Sequence, residues 1–197
     1  TGASVGGGTT TPPAGDGTWL VSASALTSAL QAGTDVTIAT TAPGSGAGNI
    51  VVESALSWSK AGTLTLDADG NVSIARAVTV TDGSFIVTAD GLVTIDAALT
   101  SRGAGNFSLT AGTLLNANAD IRASGTGSIA LRAKTGNLTA MARSAADVRI
   151  TTTTGAIDLT ADAGDVILHR VAGTDQKGTT VEVNSKSGPI TMTAADR

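Results

Sequence analysis

Residues 62–80 read Gly62-Thr63-Leu64-Thr65-Leu66-Asp67-Ala68-Asp69-Gly70-Asn71-Val72-Ser73-Ile74-Ala75-Arg76-Ala77-Val78-Thr79-Val80. Three short runs within this stretch alternate apolar and polar residues, and the whole phrase recurs along the chain. One series opens on Gly and continues with an apolar residue at every second position. It starts at Gly62, Gly83, Gly105, Gly127, Gly155 and Gly188, with spacings of 21, 22, 22, 28 and 33 residues. A second series starts at Gly70, Gly91, Gly112, Gly136 and Gly164. A looser third carries Val78-Thr79-Val80, Leu99-Thr100, Ile121-Arg122-Ala123, Val148-Arg149-Ile150 and Val181-Glu182-Val183. Self-similarity at a fixed period marks a solenoid, so the repeat decides the fold.

Alternation with period 2 gives each run one buried and one wet face. In the first series Leu64 and Leu66, Phe85 and Val87, Phe107 and Leu109, Ile129 and Leu131, Ile157 and Leu159, and Ile190 and Met192 point inward on this reading. Thr65, Ile86, Ser108, Ala130, Asp158 and Thr191 point to water. A three- to five-residue strand cannot bury an apolar face alone, but stacked in parallel on its neighbours it can. The expected fold is all-β: a right-handed parallel β-helix of about eight three-strand coils, roughly 35–40 Å long, the hand following the general crossover preference. Gly, Asn and Asp between the strands are expected to accept left-handed backbone at the corners. A β-sandwich also uses short strands and turns, but it rarely keeps one Gly-x-apolar-x-apolar register and usually holds more aromatic residues.

The ends differ from the middle. Residues 1–18 form a Gly/Thr/Pro-rich arm with the composition of a disordered segment, and residues 19–197 form a single β-helix domain on this reading. Trp19-Leu20-Val21 reads as a strand. Ser24 to Ala32 reads as one short N-terminal helix, with Ser24 as N-cap, Leu26 and Leu30 on the apolar stripe and Gly33 as stop. That helix is expected to lie over the open core of the first coil or to bulge from its flank. The last run, Ile190-Thr191-Met192-Thr193, is followed by Ala194 to Arg197 with no such lid. An uncovered final coil offers bare strand edges and an apolar cross-section, so the chain is read as cut from a longer helix or as docking on another copy. Residues 1–98 hold two basic and eight acidic residues, a net of −6, and residues 99–197 a net of +2. This polarity suits head-to-tail contact, with the arm packing on the preceding copy.

Composition excludes several function classes. The chain has no Cys, one His and four aromatic residues, Trp19, Trp58, Phe85 and Phe107. A disulfide framework, a thiolate metal site and a multi-histidine centre are therefore excluded. The net charge of −4 and pI near 4.7 argue against a nucleic-acid partner. No run reaches the length of a membrane span. The start at Thr1 reads as a processed chain or an excised fragment, and the lack of cysteine suits an extracellular protein.

Leu26 to Thr41, Gly48-Asn49-Ile50-Val51-Val52 and the 62–74 stretch together resemble the repeats of filamentous-haemagglutinin-type bacterial exoproteins, which are secreted by the two-partner route. The resemblance covers residues 19–115 well and the remainder loosely. It implies a right-handed β-helix at the surface of a Gram-negative cell, serving adhesion, aggregation or biofilm structure, with surface carbohydrate or protein as partner. Such exoproteins are far longer and begin with a distinctive secretion domain, so the chain is a piece of one or a short relative that gains length by polymerising.

Few residues suggest chemistry. Asp67, Asp69 and Asn71 resemble the opening of a calcium loop, but position twelve of an EF-hand would be Val78, and an Asp/Gly/Asn corner explains them more simply. Polysaccharide lyases and hydrolases share the expected fold, but the acids here are spread over corners, and His169 has no Ser or Cys beside it. No enzymatic activity and no cofactor are expected. Flat ranks of Thr bind ice in some β-helices. The outward slot of the second series reads Ser73, Thr94, Leu115, Thr139 and Ile167, which breaks such a rank. The glycosylation sequons at Asn71, Asn106 and Asn137 arise wherever a Gly-Asn corner precedes an outward Ser or Thr. Trp58, next but one to Lys60, reads as exposed and joins Trp19, Ile190 and Met192 as a candidate contact for a neighbour. The expected function is a non-catalytic extracellular structural subunit that stacks into a filament or serves adhesion. A fragment of a large adhesin is the alternative, and a β-helix polysaccharide enzyme the remote one.

Overall fold

Each apolar run becomes a strand whose partner is the equivalent run one repeat later. The computed structural model describes residues 8–10, 20–40, 47–142, 147–170 and 180–195. The first coil comprises β2 (Val36–Ala39), β3 (Ile50–Val52) and β4 (Leu56–Trp58), after β1 (Gly8–Thr10) and helix α1 (Ala23–Gln31). The second comprises β5 (Leu64–Ala68), β6 (Val72–Ile74) and β7 (Val78–Val80), and the third β8 (Phe85–Ala89), β9 (Val93–Ile95) and β10 (Leu99–Ser101). The fourth follows with β11 (Phe107–Ala111), β12 (Leu115–Ala117) and β13 (Ile121–Ala123). The fifth contains β14 (Ile129–Ala133), β15 (Leu138–Ala142) and β16 (Val148–Thr152). The sixth contains β17 (Ile157–Ala161), β18 (Val166–Arg170) and β19 (Val181–Ser185), and β20 (Ile190–Ala194) comes last.

These strands make three parallel sheets, and the protein is a parallel β-helix. Sheet 1 has eight strands, in the order β1-β2-β5-β8-β11-β14-β17-β20. Sheet 2 runs from β3 to β18 and sheet 3 from β4 to β19, with six strands each. Sheet 1 has the eight levels expected from the repeat and at the usual strand spacing spans about 34 Å, whereas only six of the expected three-strand coils are complete among the described residues. Leu64, Phe85, Phe107, Ile129 and Ile157 stack in one inward rank, and all five are buried. A single apolar core runs from Leu26 to Ala161.

The corner glycines have a different role from the one expected. Among the described residues only Gly33 and Gly48 have positive φ. The others are required by close approach: a Cβ on Gly83, Gly105, Gly127, Gly155 or Gly188 would overlap the carbonyl oxygen of the glycine one coil earlier. Asn and Asp at the corners accept backbone N–H groups from the next coil. Asn71 Oδ1 accepts from Leu92 N at 2.8 Å, Asn137 Oδ1 from Asp165 N at 2.9 Å and Asp147 Oδ1 from Thr180 N at 2.8 Å.

Several boundaries shift. Helix α1 is capped by Ser22, whose Oγ accepts from Ala25 N at 3.4 Å, so Ser24 lies inside the helix instead of capping it. In the chain order α1 takes the place of a sheet 3 strand ahead of the first coil. It buries Leu26 and Leu30 and packs on β4 and β2. Gln31 brackets Ser59 with two 2.8 Å hydrogen bonds, Nε2 donating to Oγ and Oε1 accepting from the backbone N–H. Val21 makes an isolated bridge where a strand was expected, and Leu20 beside it is exposed. Three residues of the arm, read as disordered from composition, form β1, which pairs in parallel with β2.

The glycine column makes a direct prediction. Gly127→Ala should lower stability by about 1–3 kcal/mol, the usual cost of overpacking, because the obstructing atoms are backbone. Thr65→Ala, on the outer face of β5, should stay within about 0.5 kcal/mol of the parent. Urea unfolding midpoints measure both, and equal midpoints would refute the close-approach account.

Candidate functional site

The calcium-like triplet is dispersed by the repeat. Asp67 lies on the outer face of β5, Asp69 is exposed at the next corner, and Asn71 is held between coils. Its N–H donates to Asn49 Oδ1 at 2.7 Å while its own Oδ1 accepts from Leu92 N, so that oxygen is already engaged in the ladder. Val78 is fully buried in β7. Among the described residues no three His, Cys, Asp or Glu side chains gather around a common point.

Trp58 is corrected. It is the last residue of β4, 2 % exposed, with Val80 of the next coil in register above it. Its Nε1 donates to the Gly62 carbonyl at 2.7 Å. The indole is a core plug that braces a corner, and it is unavailable to a partner. Trp19 lies outside the described residues.

The outward slot of sheet 2 is also corrected. Asn116, not Leu115, continues the rank of Ser73 and Thr94, because the turn into β12 holds one extra residue. Leu115 is buried, and the extra apolar residue, Leu114, is exposed. With Asn116 and Ile167 in the rank, it is still not a flat hydroxyl surface.

On sheet 1 a shallow depression opens over Ala130, lined by Ser108, Thr110, Arg132, Asp158, Thr160 and Asp162. Its charges are mutually engaged. Arg132 Nε and Nη2 reach Asp162 Oδ2 at 2.9 and 2.7 Å. The hydrogen bond and then the charge of Asp162 hold the guanidinium above its ordinary pKa. Thr160 Oγ1 donates to Asp158 Oδ1 at 3.0 Å. His169 is exposed on β18, next to Met141 in register, and so belongs to sheet 2 and not to the sheet that carries this depression.

The surface with the clearest chemical character is the C-terminal end of the rod. Val166 and Leu168, Val181 and Val183, and Ile190 and Met192 occupy inward ranks, stacked on Leu138, Ala140, Val148, Ile150, Ile157 and Leu159. The six below are buried, but Leu168, Ile190 and Met192 are 36, 41 and 49 % exposed. The expected contacts Ile190 and Met192 therefore stand on a triangular cross-section of the core. The opposite end is covered by α1, whose exposed positions are Ser24, Ser28 and Gln31. No helix among the described residues is long and apolar enough to cross a membrane.

No family model matches the chain, and no curated protein or solved structure is significantly similar to it.

The role given to Asn71 is testable. Asn71→Ala should cost about 1 kcal/mol, the net value of a hydrogen bond, and millimolar calcium should leave the melting temperature of the parent unchanged. A calcium-dependent rise that Asp67→Ala and Asp69→Ala abolish would restore the metal reading.

Proposed function

We propose that the protein is a non-catalytic extracellular structural unit, a β-helical rod that associates end to end into a filament and serves surface adhesion or biofilm structure. The observation that carries this reading is the C-terminal end. Six apolar side chains are held in core ranks there, next to the edges of three parallel strands that have no partner among the described residues. Exposed apolar area gains roughly 25 cal/mol per Å² when covered, and a further β-coil is the shape that covers both core and edges. The sides of the rod offer hydroxyl and charged groups, Arg122, Arg132 and Arg149 in ion pairs, which suits a spacer that keeps its flanks soluble. Placement outside a bacterial cell, with surface carbohydrate or protein as a binding partner, draws on the haemagglutinin-type resemblance and the absence of cysteine. A second reading, a segment of a longer adhesin, draws on the same edges, since following coils of one chain would continue all three ladders.

Sedimentation velocity and negative-stain imaging should show rods that lengthen with concentration. Ile190→Asp combined with Met192→Asp should weaken association at least about a hundredfold, since a buried unpaired charge costs roughly 3 kcal/mol or more. A parent chain that remains monomeric at every concentration would exclude the filament, and turnover of a polysaccharide would exclude the non-catalytic role.

A further inference from the structure

We infer that copies of this chain join through sheet 1 alone: the free edge of β20 in one copy pairs in parallel with the free edge of β1 in the next, and α1 fills the space between the ends of sheet 3. The inference rests on the proposed end-to-end association and specifies its contact.

Strand number is the first argument. Among the described residues β1 and β20 are the outermost strands of sheet 1, at opposite ends, and each extends one level beyond sheets 2 and 3. An edge-to-edge junction of β20 with β1 therefore leaves two levels empty between β19 and the next copy's β4. Two strand spacings amount to about 9.6 Å. An α-helix with its side chains is about 10–12 Å across, and α1 already lies on β4 at that end. The helix has the thickness of the missing strands.

Phase is the second argument. The ladder places Gly8, Val36, Leu64, Phe85, Phe107, Ile129, Ile157 and Ile190 in one continuous rank. Thr9 shares its rank with Thr191, and Thr10 with Met192. A β20–β1 junction thus continues the sheet without a slip that would turn inward positions outward.

Charge is the third. Residues 17–34, which include α1, carry no ionisable side chain, and neither do residues 187–195, which include β20. The helix and the last strand therefore bring no ionisable side chain of their own to the junction. Leu20, 73 % exposed beside α1, adds apolar area to that end. The net charges of the two halves, −6 and +2, attract at longer range. A contact between two different surfaces without rotational closure repeats into an open rod.

The chain has no cysteine, so introduced thiols report cleanly. Neighbouring parallel strands are about 4.8 Å apart, within reach of a disulfide. Under mild oxidation the double variant Thr9→Cys/Thr191→Cys should give a ladder of covalent dimers, trimers and longer species, while each single variant stops at dimers. The pair Thr37→Cys/Thr191→Cys, with position 37 inside the ladder, should give no such series. Circular dichroism and sedimentation under reducing conditions establish that each variant folds and associates like the parent. If association persists and is lost on Ile190→Asp while the Thr9/Thr191 ladder is missing, this contact is wrong and the filament reading stands. If no association occurs, both fall. Equal ladders from the two pairs would mark random collision and overturn the contact.

Discussion

At one corner of every coil a carbonyl oxygen occupies the place where the next coil's glycine would carry a Cβ. Gly83, Gly105, Gly127, Gly155 and Gly188 form this column, and most of the architecture depends on it. Strands one level apart need their backbones at hydrogen-bonding distance, and the chain must also turn sharply between sheets 3 and 1. Both conditions hold only where no side chain intervenes. The same constraint explains where the repeat lengthens. The extra residues of the fifth and sixth coils fall in the β15–β16 and β18–β19 connections, which pass from sheet 2 to sheet 3. In the tight coils that corner reads Ala75-Arg76-Ala77 and Asp96-Ala97-Ala98, without the glycine that the corner between sheets 3 and 1 requires.

A solenoid gains stability from each coil's contacts with the coil on either side, so its energy is nearly a sum over neighbours. Interior ranks such as Phe85 under Phe107 are covered on both sides and fully buried. An end coil makes the same entropic sacrifice as an interior one and is covered on one side only. The two ends meet this deficit differently. At the N-terminal end, α1 turns Leu26 and Leu30 onto the first coil and presents Ser24, Ser28 and Gln31 outward. At the other end Ile190 and Met192 remain in core ranks without cover. The largest uncovered apolar side chains in core ranks therefore lie at the C-terminal end, while the ion pairs on the flanks are of small individual worth.

Much of this was legible in the sequence, because strand, rank and period are all written in one alternation. The inward pairs of the first series are inward in the structure, and the three series become the three sheets. The failures occur where the alternation is too short or is interrupted. Leu56-Ser57-Trp58 has only three residues and no opening glycine, so β4 was invisible and Trp58 was assigned to the surface. One extra residue after Gly112 displaced Leu115 into the wrong slot, since a single-residue slip reverses every side chain. In sequence the corner glycines suggest left-handed backbone, but in the structure it is close approach that requires them. The obstructing carbonyl is 21 to 33 residues away in sequence, and no local pattern reports it. β1 escaped notice because Gly8-Thr9-Thr10 gains its order entirely from the edge of β2.

The uneven strand count links this architecture to the proposed role. Had all three sheets the same number of strands, one coil could stack flush on another and any β-helix of the same cross-section would fit. Sheet 1 instead overhangs at both ends, and α1 thickens one of them. In the proposed junction a partner matches two things together: the phase of sheet 1 and the depth of the recess over sheet 3. Each requirement removes competitors that the bare hydrophobic effect would accept, which is how specificity arises from a surface that is otherwise only apolar. In the proposed junction the opposite end of a second copy meets the phase requirement by register and, over sheet 3, the depth requirement by the diameter of a helix.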